Sequence, residues 1–332
     1  MSDSREGAAA RLVLAYRPEG FCRIGGLQRI AQEVVDHLRG LHPERALATL
    51  ASGAEGTLPH TSRCARLGSG DQLLIVGCDS PWAYGLALRA RQRGLPVSWL
   101  PSFHDPASAI HRQRARMAQR ALRALQHLGV VVHVQTAHEQ QLLGSGRGRS
   151  CRLSGHGMPA TIRRELLGPP PLQRQQGDRP IDLLYLGRPT AQKGWLRFVQ
   201  LSRNLELRCE AIVPTPPPQP AAFPIHGNPS DATVRALLGQ AKLVVIPARY
   251  ESFGIAQLEA LMAGCLVPIL GQWPLWDGCP VLQWQNLDQG ALAEGCRRLC
   301  ADEGLRQRLR QAQLDHLRRH PILRTPVLPG LP

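Results

Sequence analysis

The chain is poor in lysine, in aromatic rings and in long apolar runs. Only two of its 40 basic residues are lysines, Lys193 and Lys242, and with 25 carboxylates the formal net charge is +15. Its 15 aromatic residues are too dispersed to build a base-stacking platform. With no zinc-finger or RRM-type spacing either, nucleic acid is not an expected partner. No apolar run approaches the roughly 20 residues that cross a bilayer. The nine cysteines (Cys22, Cys64, Cys78, Cys151, Cys209, Cys265, Cys279, Cys296 and Cys300) are odd in number and scattered. They form no C-x-x-C and no paired His/Cys spacing, which argues against a disulfide framework and against structural zinc. No metal site is expected. Residues 1–11 are polar and unlike a secretory leader, so the reducing cytoplasm is the expected compartment.

What is present is alternation. Short apolar runs followed by helical periodicity predict an α/β chain with parallel sheets flanked by helices. A length of 332 residues exceeds one ordinary core, so two domains are expected. The polar, proline-rich segment 169–180 is the best boundary, giving an N-terminal domain 1–168 and a C-terminal domain 181–310, with 311–332 as a helix end and tail. Residues 305–319 are expected to cross back and brace the first domain. The tail from Pro321 reads as irregular.

Three segments carry chemistry. The apolar run 243–247 and a second, 265–270, read as buried parallel strands. Between them lie Glu251, Ser252, Phe253, Gly254, Ile255 and Glu259, then Gly264 as a helix stop. Glu251 and Glu259 are eight positions apart, a spacing that chance supplies about once in two chains of this composition, so only its strand–loop–helix setting gives it weight. A second run, 181–186, reads as a strand and leads into Gly187, Arg188, Lys193 and Gly194. Two cations at the mouth of a sheet can stabilise negative charge on an anionic ligand without a metal. Lysine at 193 in so arginine-rich a chain points to a compact point charge. In the third segment, a strand at 11–16 precedes Gly25-Gly26, and 27–38 then repeats apolar residues at helical spacing. Such glycines are either a tight turn or an approach for phosphate to a helix N-terminus.

These segments resemble the E-x7-E, G-R-x4-K-G and Gly-Gly elements of GT-B glycosyltransferases, most closely the retaining group called glycosyltransferase family 4. The resemblance covers about residues 12–319. It implies the GT-B architecture: two Rossmann-like domains facing a cleft, with a C-terminal helix crossing back. It also implies glycosyl transfer from a nucleoside-diphosphate sugar to a hydroxyl acceptor, with retention and without a cofactor. Glu259 would hold the ribose, Glu251 the sugar and its diphosphate, and Arg188 and Lys193 the leaving group. Gly25, Gly26, Gly187, Ser252, Phe253, Gly254 and Ile255 would complete the donor site. In the same resemblance His104, after the apolar run 97–100, corresponds to an acceptor-domain histidine, with Asp105 able to fix its tautomer. A polar loop residue is the plain alternative for His104. Asp79 and Trp82 are weaker candidates for the same cleft. His156-Gly157-Met158-Pro159 resembles the family's turn before the linker, but Pro159 replaces the usual acidic residue.

The positive charge concentrates at Arg112, Arg114, Arg116, Arg120 and Arg123, on a segment whose apolar set is Ile110, Met117, Ala121, Leu125 and Leu128. This reads either as a solvated helix face or as a helix lying on an anionic membrane surface. A nucleotide-sugar isomerase or hydrolase of the same fold, or a binding protein without catalysis, stays open at this stage.

Overall fold

A computed structural model describes residues 11–16, 26–41, 47–51, 62–63, 67–77, 81–101, 112–144, 150–168, 178–203, 205–251 and 253–329. The first half contains β1 (Leu12–Tyr16), α1 (Gly26–Leu41), β2 (Leu47–Ala51), β3 (Ser62–Arg63), β4 (Gln72–Val76), α2 (Pro81–Gln92), β5 (Val97–Leu100), α3 (Arg112–His127), β6 (Val131–Val134), α4 (Ala137–Leu143), β7 (Ser150–Leu153) and α5 (Ala160–Leu167). The second contains β8 (Ile181–Leu186), α6 (Trp195–Arg203), β9 (Cys209–Val213), β10 (Ile225–Gly227), α7 (Asp231–Gln240), β11 (Ala241–Val244), α8 (Ile255–Met262), α9 (Gln289–Ala301) and α10 (Glu303–Arg319).

β1 to β7 form one seven-stranded sheet in the order β3-β2-β1-β4-β5-β6-β7, and β8 to β11 a four-stranded sheet in the order β10-β9-β8-β11. Every strand pair is parallel. Period-two alternation sends Leu12, Leu14, Leu74 and Val76 to the face covered by α1. The residues between them, Val13, Ala15, Leu73 and Ile75, go to the opposite core. Both sheets reverse direction beside their first strand, at β1/β4 and β8/β11, which places a ligand crevice at the carboxyl ends of those strands.

Three expectations need correction. The strand expected at 243–247 starts earlier, at Ala241. The run 265–270 contributes isolated bridges, Leu243 to Leu266 and Ile269 to Gln283, rather than a continuous strand. Pro268 lies between those bridges and has no N–H to give the ladder. The basic segment is helical, as α3, but its inward face differs from the expected one. Leu122, Leu125 and Gln126 are buried, whereas Met117 is 63% and Leu128 48% exposed. The sheet lies under 122, 125 and 126, a face from which the helical turn directs 117 and 128 well away.

The end of the chain returns to the first sheet. α10 packs on α9 and α5, and a turn at Pro321–Arg324 follows. Beyond it, Pro326 O accepts from Gly155 N at 2.9 Å. Leu328 N donates to Ser154 Oγ at 2.9 Å, and the Leu328 side chain is buried among Leu12, Leu14 and Leu38. Burying such a side chain contributes about 2 kcal/mol. Arg163 of α5 fastens the same strap, donating to Leu323 O, Thr325 O and Gly155 O at 2.8–2.9 Å. α5 itself packs into the second core through Ile162 and Leu166, and its first amide, Ala160 N, donates to Glu33 Oε2 of α1 at 2.8 Å. Pro159 at its N-cap has no side-chain acceptor, so Glu33 of α1 provides the cap.

Candidate active site

The crevice of the second sheet is built from the loops after β8 and β11. Tyr185 anchors the first of these. Its ring packs edge-on against Trp195, with centroids 5.1 Å apart. Its hydroxyl donates to Arg188 O at 2.6 Å and lies 3.5 Å from Lys193 O, which gathers both ends of the loop. Burial, with the Glu251 charge adding to it and the Arg188 charge opposing it, pushes the Tyr185 hydroxyl well above its usual range. It stays a neutral donor at any physiological pH. Gly194 lies so close to the second loop that a Cβ there would sit 2.1 Å from Pro247 O, and its φ is +72°. Only glycine fits this crossing.

The second loop is held from behind. Gln272 N donates to Arg249 O at 2.9 Å, Glu251 N to Gln272 O at 3.3 Å, and Trp273 Nε1 to Ala248 O at 3.2 Å. With both loops fixed, Lys193 Nζ forms an ion pair with the Glu251 carboxylate. The pair is partly shielded, at 22% and 11% side-chain exposure. Arg188 is exposed at the same mouth. Both lysines of the chain are in ion pairs, for Lys242 Nζ lies 2.6 Å from Asp182 Oδ1 at the opposite end of the sheet.

Gly254, with φ of +72°, is the N-cap of α8, and Phe253 before it is buried. Ile255 opens the helix and is buried too. Glu259 is half-buried one turn on. It lines a cleft of about 470 Å³ together with Glu33 and Asp36 of α1, Asp231 and Arg235 of α7, and Met262. The walls come from both halves of the chain, and their carboxylates suit a ligand rich in hydroxyl groups. Arg188, Lys193 and Glu251 do not line this cleft. The structure therefore joins Lys193, Glu251 and the Arg188 backbone around Tyr185 and Gly187, and puts Glu259 on a separate wall.

Gly26 is the first residue of α1. Gly25, Asp79, His104, Asp105 and Ser252 lie outside the described residues. Trp82 is half-buried against the first core. His156 and His133, at the carboxyl edge of the first sheet, are buried. Burial holds the imidazoles at about 3 and about 4 respectively. Tyr185 and Glu33 were missed in the sequence. A hydroxyl near the end of a buried strand was a usable signal for Tyr185, whereas nothing in the sequence links Glu33 to α5.

Two facing parallel sheets, each with a crevice at its switch point, define the GT-B class. Solved structures agree. A sucrose-phosphate synthase from Thermosynechococcus elongatus is 15% identical with a TM-score of 0.58, over 92% of this chain and 94% of that one. WaaG, a glycosyltransferase involved in lipopolysaccharide biosynthesis, is 13% identical with a TM-score of 0.60, over 95% and 97%. An alpha,alpha-trehalose 6-phosphate synthase from Burkholderia multivorans is 12% identical with a TM-score of 0.61, over 96% and 97%. No curated protein matches the sequence. Residues 221–269, which include β10, α7, β11 and both glutamates, match the family model for glycosyl transferases group 1. The solved structures agree with this chain in fold, the GT-B architecture, and the family match is confined to residues 221–269 of the second half.

Proposed function

We propose that the enzyme transfers a sugar from a nucleoside-diphosphate sugar to a hydroxyl acceptor, with retention and without a metal. The Lys193–Glu251 pair at the switch point of the second sheet carries this reading. A donor diphosphate at that mouth would meet Lys193 and Arg188, and the Glu251 carboxylate would turn to a sugar hydroxyl. The bond between the anomeric carbon and the phosphate oxygen breaks, and the acceptor oxygen bonds to that carbon on the same face. The acceptor proton passes to the departing phosphate oxygen. Arg188 and Lys193 stabilise the charge left on the diphosphate. Glu259 holds the ribose diol, and the donor sits between domains 1–168 and 181–310, joined by the linker 169–180.

A peripheral membrane contact belongs to the same proposal. Among the described residues no helix is long and apolar enough to cross a membrane. α3 carries no acidic residue, and Arg112, Arg114, Arg116 and Arg120 are exposed beside Met117. Such a face suits anionic headgroups.

Calorimetric titration with UDP, GDP and ADP, with and without magnesium, is the test. Micromolar binding of one nucleotide, unchanged by magnesium, is expected. Binding of none would overturn the donor-site reading, and binding only with magnesium would overturn the metal-free part.

A further inference from the structure

One contact between the two halves of the chain lies two residues from Glu251 and belongs to none of the roles above. The turn Gly155–Gly157 follows β7 at the carboxyl edge of the first sheet. At Gly157 a Cβ would sit 2.5 Å from Gln135 Nε2 and 3.0 Å from Phe253 Cγ. Gly157 is not among the positive-φ glycines, so its backbone conformation suits any residue. A side chain there would need the end of Gln135 to move and the Phe253 ring to give way slightly. The turn is fixed from behind: Gly155 N donates to Pro326 O at 2.9 Å, Arg163 Nη2 to Gly155 O at 2.8 Å, and Leu328 N to Ser154 Oγ at 2.9 Å. Retreat from an added methyl group would strain these bonds. The amide end of Gln135 can swing aside, being the tip of a flexible side chain. The Phe253 ring cannot do so as freely, for it is 3% exposed within the second core.

Any displacement of Phe253 falls on its neighbours in the chain. Glu251 is two residues before it and paired with Lys193. Gly254, directly after it, sets the start of α8 at φ of +72°. The close approach of the Gly157 backbone to the Phe253 ring is therefore a mechanical link from the first sheet to the loop that carries Glu251.

We propose that Gly157 is a positioning residue: by leaving room for the Phe253 ring it lets the first half of the chain set the height of the Glu251 loop for sugar transfer. This rests on the donor-site reading of Glu251 and Lys193. It takes the role beyond that site, to a residue of the other half of the chain.

The test uses the full chain with Gly157→Ala, Gly157→Val and Phe253→Leu, alone and combined. Phe253→Leu should lower the melting temperature in the wild-type background and raise it in Gly157→Val, because the shorter side chain frees the space that valine needs. A loss in both backgrounds would show that the two residues do not press on each other and would overturn the proposal. Gln135→Ala in Gly157→Val should not restore the melting temperature. Full restoration would place the clash at Gln135 and overturn the link to Phe253. Hydrogen exchange of the amides at 250–259 should quicken in Gly157→Val, and unchanged exchange there would likewise overturn it. Affinity for UDP, GDP or ADP, held by the second half, should change less than about threefold. Nucleotide release from UDP-glucose, GDP-mannose or ADP-glucose, whichever the wild type consumes, should fall about tenfold at saturating donor, since small misplacements of reacting groups cost large factors in rate. A rise in the Michaelis constant alone would overturn the positioning role. Wild-type protein that binds no nucleotide would refute the donor-site reading instead, while the melting and exchange arms still decide the contact.

Discussion

Gly194→Ala puts a single methyl group where the two donor-site loops cross. Its cost follows from two separate terms. The backbone there has φ of +72°, which costs an L-residue about 1–2 kcal/mol. The added carbon would also lie 2.1 Å from Pro247 O and 2.9 Å from Pro247 Cβ. Relieving such overpacking costs about 1–3 kcal/mol. Alanine reduces the freedom of the unfolded chain, which returns about 0.4–1 kcal/mol. The net expectation is a loss of about 1.5–4 kcal/mol. Two other glycines calibrate it. Gly187, at φ of +149°, has only Tyr185 Oη at 3.9 Å from its would-be Cβ, so its alanine variant meets strain without a clash. Gly227 has nothing within 4 Å and no positive φ, so Gly227→Ala should lie within about 0.5 kcal/mol of wild type. Chemical denaturation followed by tryptophan fluorescence reads all three, with Trp195 directly beside the loop. The expected order of loss is Gly194, then Gly187, then Gly227. Equal midpoints for Gly194→Ala and Gly227→Ala would refute the close crossing of the two loops and, with it, the reason Lys193 meets Glu251.

Lys193→Ala should lower turnover at saturating donor about 100-fold, since one lost charge-stabilising donor typically costs that much. Glu259→Ala should instead weaken nucleotide binding about tenfold, seen by calorimetry, and the reverse pattern would exchange their roles. Stability should fall as pH drops below about 6.5, because His133 and His156 titrate near 4 and 3 when folded and near 6.5 when unfolded. The unfolded chain then binds two protons that the folded one does not. Burial pushes Glu139 the other way, to about 7, so it adds stability as pH falls toward 4.5. His37 and His320, both lowered by burial, act with the first pair. The remainder is at least about one proton, or about 1.4 kcal/mol per pH unit. Glu139→Gln should steepen that slope in denaturation titrations between pH 6.5 and 4.5, and a flat profile would contradict the burial of the two imidazoles. Replacing Arg112, Arg116 and Arg120 with glutamine should reduce sedimentation with vesicles of anionic lipid. No sedimentation of the wild type would end the membrane proposal.

What the sequence determined by itself is local and periodic. Parallel strands buried on both faces are rich in apolar residues, so 11–16, 97–100 and 181–186 could be read directly. Helix ends were legible where a backbone need selects a residue, as at Gly264, whose φ is +95°. Glu251, Glu259, Arg188 and Lys193 stood out because their segments have a recognisable spacing next to strands. Tertiary structure decided the rest, because it depends on which surfaces meet. Periodicity gave α3 its helix but not its buried face, since Leu122 and Leu125 compete with Met117 and Leu128 and only the underlying sheet chooses. The proline-rich tail gave no sign that Leu128's namesake at 328 would be buried with β1, because its partners lie some 300 residues earlier in the chain. The spacing of Glu251 and Glu259 does not say what each one meets. The turn of α8 separates them, leaving Glu251 on a lysine and Glu259 in a cleft whose other walls come from α1 and α7. Glycine at 157 is one of 32 in the sequence. Only the arrival of Gln135 and of Phe253, the latter from the other half of the chain, gives that position its meaning, since a missing side chain matters only where something else needs the space.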